Sequence, residues 1–135
     1  MEVAACWQDH AWSRIESFAN VERTTDGGTH VDGFVQGLCS GLKQTIPSAC
    51  VSKTPKHLER VVSSGLTAIV CVRLNDPTYG EPTKSRLVTP EAKAAVKACV
   101  SDAFRHFLQN DTTAAEHFAS RIANGRSTAH LPARR

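Results

Sequence analysis

One stretch of this chain, LTAIVCVRL at residues 66–74, is apolar at nearly every position and rich in β-branched side chains. That composition reads as a central, well-covered strand rather than an edge strand. Such a strand fixes the architecture. It needs strand partners beside it and helices above it, and the rest of the chain must supply both.

Two further strands are expected near the start. In residues 2–8, Val3, Ala5 and Trp7 alternate with Glu2, Ala4 and Gln8; in residues 12–19, Trp12, Arg14, Glu16 and Phe18 alternate with Ser13, Ile15, Ser17 and Ala19. The short Asp9-His10-Ala11 link suggests that the two form a hairpin. The polar stretch after Asn20 ends in Asp26-Gly27-Gly28, where paired glycines provide a sharp reversal. Thr29 then reads as a helix N-cap with Asp32 in capping-box position, followed by Val31, Phe34, Val35, Leu38 and Leu42 at helical spacing, ending near Pro47. Thr54-Pro55 opens a short helix over 57–63, closed by Ser64-Gly65. After the strand, residues 75–88 (NDPTYGEPTKSRLV) make a long polar loop, expected to be the mobile part of the domain. Thr89-Pro90-Glu91 starts the clearest helix, with Ala92, Ala95, Val96, Cys99, Val100, Ala103, Phe104 and Phe107 in one apolar stripe. Asn110-Asp111 breaks it. A last helix, capped by Thr112 or Thr113, buries Ala115, Phe118, Ala119 and Ile122 and stops at Asn124-Gly125. The order β-β-α-α-β-α-α predicts an α/β (α+β) two-layer sandwich with one long loop.

Composition agrees with a single soluble domain: 135 residues, 41% hydrophobic and 21% charged. No apolar run is long enough to span a membrane, and MEVAACWQDHAW carries acids where a secretion signal carries bases. The five cysteines have no CxxC spacing and sit mostly among apolar neighbours, which predicts reduced, buried thiols. No histidine lies at metal-ligand spacing from another histidine or a cysteine, so no metal is assigned. The net charge of +3 is uneven. Acids crowd residues 1–34, whereas after Glu116 there are only Arg121, Arg126, Arg134 and Arg135, read as solvated charges that lead into a basic, flexible tail over 126–135. Such a tail can also neutralise phosphates of a nucleic acid.

Two places can carry chemistry. The Asp26-Gly27-Gly28-Thr29-His30 turn leads into a helix N-terminus and can hold a phosphate, or can simply be a tight strand-to-helix connection. Lys84, beside Thr83 in the long loop, can reach outward to a phosphate or stand as a solvated charge.

FANVERTTDGGTHVDGFVQGL resembles the F-x-N…DGGTH…GF signature of the gyrase B and topoisomerase IV ATPase subunits. VAACWQDHAWSRIESFAN upstream, and GLTAIVCVRLNDPTYGEPTKSRLVTPEAKAAV downstream, are similar to the flanking segments of that family. The resemblance implies that residues 1–125 are a transducer domain, the second domain of the ATPase subunit, with a left-handed βαβ crossover. It implies that Lys84, with Thr83, matches a loop lysine that contacts the γ-phosphate of ATP bound by a neighbouring GHKL domain. ATP and magnesium would then be met only through that partner or through gyrase or topoisomerase IV subunits, in the cytoplasm and at the nucleoid. The isolated chain, without GHKL or toprim sequence, is expected to be inactive. Two departures stand out. Pro82 replaces the family glutamine, and Val35, Gln36 and Ser40 stand where family arginines face DNA, leaving Lys43 as the basic residue there. DNA contact is therefore expected to be weak or indirect. The alternative reading is a stand-alone regulatory or vestigial protein that binds topoisomerase subunits by imitating their transducer.

Overall fold

A computed structural model describes residues 1–10, 12–80 and 82–124. The basic segment 126–135 and the expected helix stop at Gly125 lie outside the described residues. In chain order the elements are β1 (Glu2–Trp7), β2 (Arg14–Ala19), β3 (Glu22–Arg23), α1 (Thr29–Thr45), α2 (Pro47–Cys50), α3 (Pro55–Ser63), β4 (Leu66–Val72), α4 (Pro90–Asn110) and α5 (Thr112–Asn124). The expected order holds, with β3 and α2 as short additions.

The sheet order is β1-β4-β2-β3. β4 runs antiparallel to β1 and parallel to β2, while β2 and β3 are antiparallel. The expected β1–β2 hairpin does not form. β4 slots between the two strands and gains a ladder on each side, from Glu2↔Cys71 to Trp7↔Leu66 and from Arg14↔Thr67 to Ala19↔Val72. A short link limits how far apart two strands can lie, but it does not decide which strand pairs with which.

β4 is central, as its composition predicts, yet it is covered on one face only. Leu66, Ala68, Val70 and Val72 are buried under the helices, whereas Ile69 is 46% exposed on the other face. Ala4 and Glu16 flank Ile69 in register, and Glu16 pairs with Arg14 and Arg23. The outer face thus carries the Glu16 ion pairs on the β2 side of Ile69 and Ala4 on the β1 side, and the described residues form two layers.

The helical layer is held by the close approach of α1 and α4. Gly33, Gly37 and Gly41 line the contact. A Cβ on Gly33 would lie 2.4 Å from the carbonyl oxygen of Lys93, and one on Gly37 2.8 Å from Cβ of Val100. This i, i+4, i+8 glycine row lets the backbones meet, and Phe34, Leu38 and Leu42 fill the space beside it. Along α4 only part of the expected stripe is buried. Ala92, Val96, Val100 and Phe104 are covered, but Ala95, Cys99, Ala103 and Phe107 are exposed.

Capping departs from expectation at three helices. Thr54 does cap α3, accepting from the backbone N–H of His57 at 3.1 Å. Thr29, however, is already helical, and Gly28 occupies the N-cap position without a side chain to offer. Thr89 is the N-cap of α4, but its hydroxyl accepts instead from the N–H of Thr78 at 2.8 Å. At α5 it is Asp111, not a threonine, that accepts from the N–H of Ala114 at 3.0 Å.

Arg121 is not part of a solvated basic tail. It is 9% exposed and donates from Nη1 to the carbonyls of Ser64, at 2.6 Å, and Val61, at 3.4 Å. A cation on the last carbonyls of α3 satisfies groups that the helix end leaves open. The thiols also divide: Cys39 and Cys50 are buried and their pKa values are raised by burial, while Cys6 and Cys99 are exposed; all five are free.

Candidate functional site

Residues far apart in sequence meet where β3 runs into α1. The Asp26–Thr29 turn and the second arm of the long loop lie side by side. Asp26 N–H donates to the carbonyl of Ser85 at 2.8 Å, Leu87 N–H to that of Gly27 at 3.1 Å, and Thr29 N–H to that of Leu87 at 3.0 Å. The Arg86 guanidinium adds a bond to the Asp26 carbonyl at 3.1 Å. The loop also folds on itself, Gly80 N–H donating to the Arg86 carbonyl and Val88 N–H to that of Thr78. Leu87, fully buried, anchors this strip in the core.

Gly28 makes the approach possible. Its φ is 138°, and a Cβ there would lie 2.2 Å from the carbonyl oxygen of Leu87 and 2.6 Å from its nitrogen. Gly27 also has positive φ, 75°, but a Cβ on it would meet only Val31 at 3.7 Å. One glycine is needed for conformation alone, the other for conformation and contact.

His30 locks the turn from beneath. It is fully buried, and its Nε2 lies 3.0 Å from Thr24 Oγ1, which lies 2.6 Å from Ser17 Oγ. Ser17 donates to the Thr24 carbonyl at 2.9 Å. With that proton committed, the Thr24 hydroxyl donates to Ser17 and accepts from Nε2–H of His30. The imidazole is then neutral, with a bare, buried Nδ1 lone pair that no partner meets. Protonation would place an N–H at Nδ1 with no acceptor. Burial lowers the His30 pKa to about 4, against a smaller opposing pull from Asp32. The network ties β2, the end of β3 and the first turn of α1 into one unit.

The amides of Asp26 and Thr29 are therefore engaged by the loop, and the Thr29 hydroxyl donates to the Thr89 carbonyl at 2.7 Å. The turn is built as a strand-to-helix connection that seats the loop. The loop in turn presents Pro82, Thr83 and Lys84 at its exposed tip, where Thr83 Oγ1 donates to Ser85 Oγ at 3.3 Å. Lys84 has φ 60°, rare for a residue with a side chain, and its Nζ lies 5.9 Å from the centre of the Tyr79 ring. The Tyr79 hydroxyl donates to the Ala19 carbonyl at 3.3 Å, fixing the first arm to the end of β2. The loop expected to be loose is thus tied down along both arms. Sequence reasoning named its tip but missed the arms, and also missed Tyr79, Leu87 and the buried network of Ser17 and Thr24. Among the described residues no three histidine, cysteine, aspartate or glutamate side chains are grouped to hold a metal, and no helix is long and apolar enough to cross a membrane.

The family described as DNA gyrase B matches residues 1–134. The DNA gyrase B protein of Helicobacter pylori (strain J99 / ATCC 700824) is 31% identical over 121 residues, covering 90% of this chain and 16% of that protein. The DNA gyrase B protein of Halalkalibacterium halodurans is 34% identical over 110 residues, covering 80% of this chain and 17% of that protein. Among solved structures, the 43K ATPase domain of Thermus thermophilus gyrase B in complex with an aminocoumarin superposes with a TM-score of 0.79 at 26% identity, over 98% of this chain and 36% of that one. The Myxococcus xanthus DNA gyrase B structure gives 0.70 at 27% identity, over 88% and 37%. The chain therefore spans only a small part of the relatives it matches.

Proposed function

The chain belongs to the DNA gyrase B family, and from that premise we propose that residues 1–125 act as a transducer domain, coupling ATP bound in a partner GHKL domain to DNA strand passage. The observation that carries this reading is the seating of the loop. Backbone hydrogen bonds to the Asp26–Thr29 turn hold the loop beside an exposed tip that bears Lys84. A cation held this way can be offered to an anion on a neighbouring domain, while the arms transmit a shift of the tip to α1 through Gly28 and to β2 through Tyr79.

Lys84 is the residue whose chemistry fits the γ-phosphate. Its ammonium would offset the negative charge that grows on the transferred group. Thr83 would support the tip. The turn residues Asp26 to His30 have a positioning role and do not contact nucleotide. Purine and magnesium would be held by the partner, so the chain alone performs no hydrolysis. The Thermus thermophilus structure is that of an ATPase domain, which supports this placing of the ATP site beside the fold described here. Cytoplasmic action with gyrase or topoisomerase IV subunits follows from the same reading.

Two observations favour the alternative of a regulatory mimic. Pro82 offers no side-chain hydrogen bond, and Lys84 is folded back over Tyr79. Two measurements test the transducer reading, and the second separates it from the mimic. Calorimetric titration of the isolated chain with a non-hydrolysable ATP analogue should show no binding; micromolar affinity would overturn the transducer assignment. Addition of the chain to a GHKL domain from a gyrase B should raise ATP turnover, whereas binding without stimulation would identify a mimic.

A further inference from the structure

The first arm of the long loop and its tip are held very differently. The arm is fixed at Tyr79. The Tyr79 hydroxyl donates to the Ala19 carbonyl at 3.3 Å, and the half-buried side chain packs against the core. The backbone on either side is bonded as well. Val88 N–H donates to the Thr78 carbonyl at 2.8 Å and Gly80 N–H to that of Arg86 at 3.0 Å, and Tyr79 bridges the buried Leu87. The ring therefore keeps its place when the tip moves.

The tip has fewer ties. Thr83 and Lys84 are exposed, and Lys84 takes part in none of the ion pairs among the described residues. Its φ of 60° is a left-handed conformation that is costly for a residue with a side chain. In that conformation its Nζ lies over the Tyr79 ring, 5.9 Å from the centre, within the distance at which a ring face attracts an ammonium. An exposed contact of this kind shifts a population only about two- to fivefold, and the left-handed backbone works against it. The contact is strong enough to set where the lysine rests. It is too weak to keep the lysine from a phosphate, whose full negative charge draws an ammonium more strongly than a ring does.

We propose, on the basis of the transducer reading, that Tyr79 is a positioning residue for Lys84: its ring holds the ammonium in a resting place on this chain, and the lysine must leave the ring to meet a phosphate. The ring then acts as a brake on turnover without touching nucleotide. It lowers the share of chains whose lysine is ready by the same factor of about two to five. Because the lysine meets charge that develops in the transition state, the brake falls on kcat and leaves the KM for ATP unchanged. The hydroxyl and the ring have separate tasks. The hydroxyl pins the ring to the end of β2, and the ring face holds the cation.

Two readouts on the whole chain test this. The first is the proton resonance of the Lys84 methylene next to Nζ, assigned by its loss in Lys84→Ala. It should lie upfield, under the ring current, in the parent and in Tyr79→Phe, and return to the ordinary lysine position in Tyr79→Leu. The second is ATP turnover by a gyrase B GHKL domain at saturating amounts of the chain. Tyr79→Leu should raise kcat about two- to fivefold with KM unchanged, Tyr79→Phe should match the parent, and Tyr79→Leu should gain nothing in a Lys84→Ala background. If Tyr79→Leu does not fold, Tyr79→Met fills the same space without a ring and takes its place. The same resonance position in the parent and Tyr79→Leu would overturn the proposal. So would an upfield resonance in the parent with kcat unchanged or lowered in Tyr79→Leu. Stimulation by neither parent nor Tyr79→Leu, with the upfield resonance present, would instead mark the failure of the transducer reading, and the brake would fall with it.

Discussion

At the seat of the loop, polar backbone meets polar backbone, and Gly28 leaves no room for a methyl group between the turn and Leu87. On the far side of the sheet, along β1, apolar side chains are exposed beside a groove. The first region is closed by hydrogen bonds and contacts among the described residues, whereas the second stands exposed among them. A substitution should therefore cost more folding stability in the first region than in the second.

Gly28→Ala should sharpen the comparison most. It combines a positive φ with a contact of 2.2 Å to a backbone oxygen that cannot rotate away. Gly27→Ala, strained but sterically free, should cost about 1 kcal/mol, and Gly28→Ala several times that. Equal denaturant midpoints for the two variants would break the argument that the turn exists to seat the loop.

The pH dependence of stability should come next in size. The folded value of His30, about 4, lies below its ordinary 6.5, so the unfolded chain takes up the proton more readily. The stabilisation is complete above pH 6.5, declines as pH falls from 6.5 towards 4, and levels off below. The loss should be about 3 kcal/mol. Urea unfolding across this window checks it, and His30→Leu should flatten the profile.

Tyr79→Phe should have a smaller effect, about 1 kcal/mol or less, because it removes one hydrogen bond of 3.3 Å to the Ala19 carbonyl. Hydrogen exchange offers a second view. The amides of Gly80, Leu87 and Val88 should be protected, and those of Thr83 and Lys84 should not. The smallest change in folding stability is expected at the exposed β1 edge, where Ala5→Ser should leave the unfolding free energy within about 0.5 kcal/mol of the parent in urea.

Much of this was legible in the residues, and the gaps have physical causes. The stripe of α4, the Thr54-Pro55 start of α3 and the strand at 66–72 follow from local periodicity and capping chemistry. The pairing of β4 between β1 and β2 does not, because register is settled by contacts more than 50 residues apart in sequence. β3 and α2 are too short to carry a period. The glycine row of α1 was available at i, i+4 and i+8, but its meaning appears only when α4 lies across it. Arg121 looked like a tail charge because nothing local reveals the carbonyls it reaches. At the site, family resemblance supplied Thr83 and Lys84, and the turn was read from its glycines. Their meeting through Leu87 depends on the fold.

In the proposed function the seated loop offers Lys84 to a nucleotide on a partner domain. The direct test is to reconstitute the chain with a gyrase B GHKL domain and to measure ATP turnover and assembly for the parent, Lys84→Ala and Pro82→Gln. Loss of one contact to charge developing in the transition state typically costs about 100–1000-fold in rate. Lys84→Ala should lose stimulated turnover on that scale while assembly is retained, and Pro82→Gln should gain turnover. Unchanged turnover in Lys84→Ala, with assembly intact, would contradict the claim and leave the chain as a binding mimic.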